Sequence, residues 1–320
     1  MKIKPVPVYL LTGFLGSGKT TLLRRLIDDA HAKGWNPAVL MNEIGDVNLD
    51  GLLVDAAIPM AEMLGGCICC TVRGDLGLEL AQLAKEHDPD VIWIESTGVA
   101  QPMEIIDAVT DASLYARFEL RGVVTVVDAR HLLDRANIGA GKTYRLMQEQ
   151  VRCASLVLLN KTDLVAESEL ARLKDLLEGW NPNARIVASV NAGLDLELVY
   201  GEDARFNSPE TAKRQPDDHE RHLHHHHSHV NVWTRYLNGP LDSRSFENFV
   251  QSLPEEVYRA KGIVSFKDTA NRYLFQYAYR QSDFLPIRPQ GNVQDVLVMI
   301  GEGFSQSELA AKLDELDPPN

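Results

Sequence analysis

The chain has 320 residues, 45% of them apolar, which is enough for one large domain and a smaller one. Its 45 acidic and 32 basic residues give a net charge of −13, which disfavours binding to the phosphate backbone of nucleic acids. The apolar stretch at residues 6–11 contains a proline and is too short to span a bilayer. We therefore expect a cytoplasmic protein that binds neither nucleic acid nor a membrane.

Short apolar runs alternate with helix-like stretches in the first part of the chain. The runs are rich in β-branched residues and fit strands that are buried on both faces of a mostly parallel sheet. They lie at residues 6–11, 38–41, 91–94, 123–127, 156–159 and 186–188. Amphipathic helices are predicted between them, for example at residues 20–32, 76–87 and 167–179. This alternation predicts a doubly wound α/β domain over residues 1–200, in which ligands bind at the carboxyl ends of the strands.

The composition changes after residue 200. Residues 201–229 are rich in charge, proline and histidine, which is typical of a linker or mobile loop. Beyond them, strands are predicted at residues 230–237, 261–267, 272–279 and 293–300, with helices near 243–253 and 305–315. Because the short turn at residues 268–271 joins two consecutive strands, we expect these strands to pair antiparallel in a smaller α+β domain over residues 230–320.

Residues 13–20 match the phosphate-binding loop pattern G-x-x-x-x-G-K-[ST], directly after a predicted strand and directly before a predicted helix. The glycines allow backbone N–H groups to converge on phosphate oxygens, and the helix N-terminus adds partial positive charge. We expect Lys19 to contact the β- and γ-phosphates and the Thr20 hydroxyl to bind Mg²⁺. The nucleotide-binding residues predicted in this region are Gly13, Gly16, Ser17, Gly18, Lys19, Thr20 and Thr21.

A second motif, with the pattern N-K-x-D, follows a predicted strand about 140 residues later. The Asp163 carboxylate can accept hydrogen bonds from both N1–H and the exocyclic amine of guanine, a donor pair that adenine lacks. Asn160 can bond the other edge of the purine, and the aliphatic stem of Lys161 can lie along the ring. Ser189 and Asn191, at the end of the next predicted strand, are expected to support the base. Together these residues favour GTP over ATP.

Carboxylates follow two further predicted strands. Glu95 is placed to hold the Mg²⁺ shell or to order the attacking water, and the Gly98 amide can meet the γ-phosphate. A helix cap or a salt bridge is the alternative role for Glu95. Lys19, Thr20 and Glu95 are thus the candidate catalytic residues. Asp128 ends another strand at the same edge, and the sequence leaves a structural and a functional role equally open.

Three of the four cysteines, Cys67, Cys69 and Cys70, lie within four positions after two glycines. Thiolates are soft ligands that suit Zn²⁺ or Cu(I). Because three sulfurs so close in sequence need further ligands to complete the coordination of one ion, the acids Glu43 and Asp46 are candidate additional ligands. Buried or redox-active thiols are the alternative. The sequence therefore predicts a thiolate metal site on this loop.

Histidines are concentrated in the polar segment between the two predicted domains. The histidines in this segment are His219, His222, His224, His225, His226, His227 and His229. A tract of this kind binds Zn²⁺ or Ni²⁺ weakly and in variable number, as a collector or buffer, and a solvated linker is the alternative. Cys153, by contrast, stands alone in the sequence and is predicted to be a core residue rather than a metal ligand.

The motifs, taken together and in order, resemble those of the CobW-like GTPases, relatives of the HypB and UreG metal-insertion GTPases. The similarity covers residues 12–21, 42–45, 66–70, 95–98 and 160–163, and continues into 259–262, which is similar to a signature of the family's carboxyl-terminal domain. The resemblance implies a P-loop GTPase of the cytosol that delivers a metal to a client protein, often as a dimer. It also implies that Cys67, Cys69 and Cys70 carry the metal.

From the motifs and the resemblance we expect a GTP-hydrolysing metallochaperone that uses GTP and Mg²⁺ and carries Zn²⁺ to a client protein, with a homodimer among the expected assemblies. A Co²⁺ or Ni²⁺ chaperone, or a GTPase of a cobalamin pathway, is the first alternative. A metal store or sensor with a vestigial GTPase is the second, although Lys19, Thr20 and Glu95 argue against it. A small-molecule kinase is the third, and the N-K-x-D motif argues against that.

Overall fold

The computed structural model describes residues 4–42, 60–62, 72–200, 230–278, 280–288 and 293–318. In this part of the chain, a parallel sheet of seven strands carries helices on both faces, and an antiparallel sheet of five strands is packed by further helices. None of the helices in these ranges has the length and apolarity that crossing a bilayer requires. The predicted combination of a doubly wound α/β sheet and a smaller α+β unit is confirmed.

The parallel sheet has the strand order β3-β2-β4-β1-β5-β6-β7. Its strands are β1 (Val6–Thr12), β2 (Pro37–Asn42), β3 (Met60–Glu62), β4 (Val91–Ser96), β5 (Phe118–Asp128), β6 (Leu156–Asn160) and β7 (Arg185–Ala188). The apolar runs predict all of these except the three-residue β3. Strand β1 lies at the centre, with β4, β2 and β3 on one side and β5, β6 and β7 on the other. Because β1 pairs parallel with both β4 and β5, the carboxyl ends of these central strands meet at one edge of the sheet.

Both faces of the central strands β1, β4 and β6 are buried, as the continuous apolar runs predict. In β1, Val8 and Leu10 pack into one apolar cluster, whereas Tyr9 and Leu11 pack into the cluster on the opposite face. The helices that cover the two faces are α1 (Lys19–Ala32), α2 (Val72–His87), α3 (Pro102–Ser113), α4 (Ala129–Ile138), α5 (Lys142–Arg152), α6 (Glu167–Trp180) and α7 (Glu197–Tyr200). Helices α1 and α7 lie on one face, and α2 to α6 lie on the other.

The second sheet has the order β11-β10-β9-β12-β8, and its neighbours pair antiparallel. Its elements are β8 (Val230–Tyr236), α8 (Ser243–Gln251), β9 (Val257–Ser265), β10 (Arg272–Ala278), β11 (Gln281–Ile287), β12 (Val296–Glu302) and α9 (Gln306–Asp314). The expected antiparallel pairing of the two strands joined at residues 268–271 is confirmed. The predicted start of β9 at residue 261 is wrong, because Val257 and Ala260 already point into the core of this sheet.

The two sheets share apolar packing. Val230 and Ile300, from the second sheet, belong to the same buried cluster as the central strands of the first. Leu114, just after α3, packs against Ile263 and Val298. These contacts fix the second sheet against the face of the first sheet that α3 covers.

Ion pairs join β9 to α3 at the same contact. Arg259 bonds the carboxylate of Asp107, which is only 2% exposed, and Lys261 pairs with Asp111. Both cations belong to the segment at residues 259–262 that resembles the carboxyl-terminal signature of the CobW-like family. The structure therefore places this signature at the contact between the two sheets.

Replacing Arg259 with methionine should lower the free energy of unfolding by about 2–3 kcal/mol, because the buried Asp107 carboxylate loses a charged hydrogen-bond partner. Urea unfolding of the two proteins would measure the difference. The matched control is Arg280→Met, since Arg280 pairs with Glu255 where both side chains are exposed, and its loss should cost less than about 0.5 kcal/mol. Equal effects at the two positions would show that the contact between the sheets does not depend on this pair.

Candidate nucleotide-binding site

The loop between β1 and α1 wraps around the side chain of Lys19. Lys19 Nζ donates to the carbonyl oxygens of Gly13, at 2.8 Å, and Phe14, at 3.2 Å, and the residue is 6% exposed. Gly18 caps α1 with a φ of 113°, and a Cβ at this position would lie 2.4 Å from Asn160 Nδ2, so the fold requires glycine here. The N-terminus of α1, which carries partial positive charge, follows the loop directly. Because α1 has neither a side-chain cap nor an acid in its first turn, no such group of the helix neutralises this charge.

A hydroxyl and a carboxylate meet beside this loop. Thr20 Oγ1 donates to Glu95 Oε1 at 2.9 Å, which joins the start of α1 to the end of β4. In the described part of the chain, the buried hydroxyls of Ser17 and Thr97 have no hydrogen-bond partner. Oxygen ligands of this kind are those that Mg²⁺ prefers, and unpartnered buried hydroxyls favour a polar ligand nearby. The donor set therefore fits a magnesium nucleotide.

The segment after β4 lies directly against the phosphate loop. A Cβ on Gly98 would lie 2.5 Å from the backbone nitrogen of Leu15, so only glycine allows this approach. The Gly98 carbonyl accepts a hydrogen bond from Nε2 of the buried Gln150 in α5, at 3.3 Å. Gln150 was missed by the sequence analysis, because a single glutamine on an amphipathic helix forms no motif. It fixes the segment expected to meet the γ-phosphate.

The side chain of Asn160 connects the two nucleotide motifs. Its Nδ2 donates to the Ser17 carbonyl at 2.8 Å, and its Oδ1 accepts from the Ala192 backbone nitrogen at 2.9 Å. Arg25, which the sequence analysis also missed, reaches from α1 to the Ala192 carbonyl. One Nδ2 hydrogen and one Oδ1 lone pair of Asn160 remain for other partners. Its predicted bond to the purine stays a prediction.

Lys161 and Asp128 form an ion pair at the carboxyl end of β5. Lys161 Nζ donates to the Gly16 carbonyl at 2.6 Å and to Asp128 Oδ2 at 2.7 Å. Asp128 Oδ1 accepts from the His131 backbone nitrogen and so caps α4. Burial alone would raise the pKa of Asp128, but the hydrogen bonds from Lys161 and His131 outweigh it and hold the pKa below its usual value. The carboxylate, whose role the sequence left open, is thus both a helix cap and an ion-pair partner.

The remaining predicted base-binding residues lie on two adjacent turns. Asp163 is exposed in a 3₁₀ helix, Thr162–Leu164. The Ser189 carbonyl accepts from the Thr162 backbone nitrogen at 3.1 Å and from its hydroxyl at 3.0 Å, which holds these turns together. Asn191 is exposed and has a φ of 52°. Thr21, which was predicted to bind the nucleotide at the phosphate loop, is exposed in the first turn of α1.

The candidate metal ligands lie outside the described residues. They are Glu43, Asp46, Cys67, Cys69, Cys70 and the histidines of residues 219–229. Within the ranges that the structure describes, no group of three or more His, Cys, Asp or Glu side chains could hold a metal ion. The predicted core position of Cys153 is confirmed: it is buried, and burial raises the pKa of its thiol to about 12.

Comparison with known protein families assigns both parts of the chain. Residues 7–188 match the CobW/HypB/UreG nucleotide-binding domain, and residues 230–317 match the carboxyl-terminal domain of the cobalamin synthesis protein CobW. The chain belongs to the CobW/HypB/UreG family. The resemblance inferred from the motifs is therefore confirmed for both parts of this CobW-type chain.

Individual relatives align over nearly the whole CobW-type chain. The zinc chaperone YjiA of Escherichia coli K12 is 31% identical over 97% of this chain and 98% of its own length. The zinc-regulated GTPase metalloprotein activator 1 of Schizosaccharomyces pombe is 30% identical over 94% of this chain and 84% of its own. The crystal structure of the Zn(II)-bound YjiA GTPase from Escherichia coli is 29% identical, covers 98% of this chain and 99% of that one, and superposes with a TM-score of 0.46.

Proposed function

We propose that this protein hydrolyses GTP with the help of Mg²⁺ and uses the nucleotide cycle to deliver zinc to a client protein in the cytoplasm. The observation that carries the proposal is the pairing of the Thr20 hydroxyl with the Glu95 carboxylate, at 2.9 Å beside the phosphate loop. A metal store or sensor with a vestigial GTPase has no need of such a pair. The names of the two aligned relatives favour zinc over cobalt or nickel.

In the proposed reaction, a water oxygen bonds to the γ-phosphorus while the bond from that phosphorus to the β–γ bridging oxygen breaks, so that GDP leaves and the water gives up a proton to solvent as inorganic phosphate forms. Lys19 turns its ammonium from the loop carbonyls to the β- and γ-phosphate oxygens and neutralises the charge that develops there. Thr20 and Glu95 would hold Mg²⁺, which would supply positive charge to the same oxygens. Glu95 also orders the attacking water, and the Gly98 amide donates to the γ-phosphate.

The proposal also assigns the backbone contacts to the phosphates and the contacts to the guanine base. Backbone N–H groups of the loop and of the first turn of α1, from Gly13 to Thr21, surround the phosphates. Asp163 selects guanine by accepting its two hydrogen-bond donors, and Ser189 and Asn191 support the ring. The arrangement of these turns around Asn160 supports a base site beside the phosphate loop.

For the metal, we propose Cys67, Cys69 and Cys70 as the thiolate ligands of zinc, with Glu43 and Asp46 as additional ligands. The histidines of residues 219–229 act as a collector. The corresponding units are a GTPase domain at residues 1–200, a His-rich linker at 201–229 and a carboxyl-terminal domain at 230–320. A client metalloprotein and a second copy of the chain are the proposed protein partners.

The zinc affinity of the protein should differ between its GTP and GDP states. A coupling of about 1–3 kcal/mol, the usual allosteric range, corresponds to roughly a 5- to 150-fold difference. By linkage, zinc must change the ratio of the affinities for GTP and GDP by the same factor. Competition with a chromophoric zinc chelator, in GDP and in a non-hydrolysable GTP analogue, would measure it.

Two cysteine variants test whether the difference in zinc affinity arises at the proposed cysteine ligands. Cys69→Ser should remove most of the difference in zinc affinity between the nucleotide states, because it replaces a thiolate ligand with a hydroxyl. Cys153→Ala is the control and should retain the difference, since this thiol is buried in the core. Equal zinc affinities in the two nucleotide states of the wild type would argue for a metal store or sensor.

A further inference from the structure

We propose that Asp128 is a positioning residue for guanine-nucleotide binding, which fixes the side chain of Lys161 across the phosphate loop and so sets nucleotide affinity without touching the nucleotide. The inference rests on the proposed function, because it assumes that the N-K-x-D turn receives a guanine base. It assigns a role to an acid that lies in neither the phosphate loop nor the N-K-x-D motif.

The first step of the argument is that Lys161 is held at both ends. Its backbone lies in the left-handed region, with a φ of 59°, which fixes the direction in which the side chain leaves the turn. Its ammonium is bonded to the Gly16 carbonyl at 2.6 Å and to Asp128 Oδ2 at 2.7 Å. With both ends fixed, the aliphatic stem is confined to few rotamers, and the entropy cost of ordering it does not fall on ligand binding.

The second step concerns the position of Asp128 in the sheet. Asp128 is paired in register with Asn160 across the β5–β6 ladder, so it lies one position from Lys161 at the carboxyl edge. The side chain of Asp128 is only 16% exposed and that of Lys161 is 35% exposed, so their attraction is screened less than that of a surface pair. A short, partly buried ion pair on rigid strand ends suits a positioning role.

The third step is that helix capping does not explain both oxygens of Asp128. Oδ1 accepts from the His131 nitrogen, and this bond is all that an N-cap requires. Asp242 and Ser305 cap α8 and α9 in the same way, each with one side-chain oxygen bound to the nitrogen three residues on. A serine or an asparagine would satisfy the cap at Asp128 equally well. The bond from Oδ2 to Lys161 is therefore an additional function of this carboxylate.

Asp128→Asn tests the proposal, because asparagine keeps the size and the capping ability of the residue but removes its charge. Its oxygen can replace only one of the two carboxylate oxygens, so when it accepts from the His131 nitrogen, the amide NH₂ group, a donor, faces the Lys161 ammonium. We expect the affinities for GDP and for a non-hydrolysable GTP analogue to fall about 10-fold, the scale of one lost charge-assisted hydrogen bond. The turnover number at saturating GTP should change less than about 2-fold, because Asp128 does not contact the reacting atoms. Asp128→Ser, which also caps but cannot reach Lys161, should give the same separation of affinity from turnover.

The matched control is Asp242→Asn, which alters the cap of helix α8 beside the second sheet and should leave nucleotide affinity within about 2-fold of wild type.

A double-mutant cycle then tests whether Asp128 acts on nucleotide affinity through Lys161. In a Lys161→Met background, Asp128→Asn should cause no further loss of affinity, because the group that it positions is gone. A persistent loss in that background would show that Asp128 acts through α4, and would overturn the proposal.

The wild-type titration separates this inference from the proposed function. A wild-type chain that binds no guanine nucleotide overturns the proposed function and this inference with it. A wild-type chain that binds GDP normally, together with an Asp128→Asn variant of unchanged affinity, overturns this inference alone. An equal loss in Asp128→Asn and Asp242→Asn would identify a general effect of cap replacement and would also overturn it.

Discussion

Replacing Asp163 with asparagine should move the nucleotide preference of the protein from GTP to xanthosine triphosphate. The wild type should prefer GTP to ATP by about 10⁴-fold or more in kcat/KM, because a site built to bond two donors of the base is left with unsatisfied polar groups when they are missing. Asparagine replaces a pure acceptor with a side chain that also donates, which matches the extra carbonyl of xanthine. Hydrolysis assays with the three nucleotides would measure the preference.

A control for this substitution is available on a neighbouring helix. Asp175→Asn removes an exposed acid from α6 and changes the net charge of the protein by the same amount. Its ratio of GTP to ATP hydrolysis should equal that of the wild type. Comparable turnover of ATP and GTP by the wild type would defeat the assignment of Asp163 as the base-selecting residue.

Lys19→Ala should lower the turnover of GTP by about 10²- to 10³-fold, the scale of losing one charged group that stabilises the transition state. The ammonium that now lies 2.8 Å from the Gly13 carbonyl is the only charged side chain among the loop residues 13–20. Without it, the negative charge developing on the β–γ bridging oxygen has no side-chain counterion from the loop. Single-turnover hydrolysis at saturating GTP would separate this loss from weaker binding.

Lys33→Ala provides the comparison at the other end of the same helix. Lys33 pairs with Asp29 and Glu197, away from the phosphate loop, and its removal should leave turnover unchanged. Zinc binding by nucleotide-free Lys19→Ala should match that of wild type, since the proposed metal ligands lie elsewhere. A normal hydrolysis rate in Lys19→Ala would remove this residue from the mechanism.

Motifs whose chemistry fixes both residue type and spacing were readable from the sequence. The phosphate loop and the N-K-x-D turn are contiguous, and each follows a buried strand whose apolar run marks its end. The role of Asp128 could not be predicted in this way, because its partner Lys161 lies in the turn after a different strand. A carboxylate at a strand end looks the same whether it caps a helix, binds a cation or does both. Only the three-dimensional contacts distinguish these roles.

Residues that bind backbone groups were also beyond the reach of the sequence. Gln150 and Arg25 bond the carbonyls of Gly98 and Ala192, and a carbonyl is present at every position, so no pairing of residue types marks such a contact. Strand β11 was missed for a different reason. It is a largely exposed edge strand that contains Pro286, so it lacks the apolar run that identifies a buried strand.

The apolar cluster shared by the two sheets bears on how this chain can change in evolution. Val230 and Ile300 cover part of the face that carries Val8 and Ile92, and Leu114 is covered by β9 and β12. A lineage that lost the carboxyl-terminal sheet would expose this apolar surface, which favours self-association. Polar replacements at the uncovered positions would have to accompany the loss. The second sheet therefore completes the apolar packing on this face of the first, and its removal would have to be compensated there.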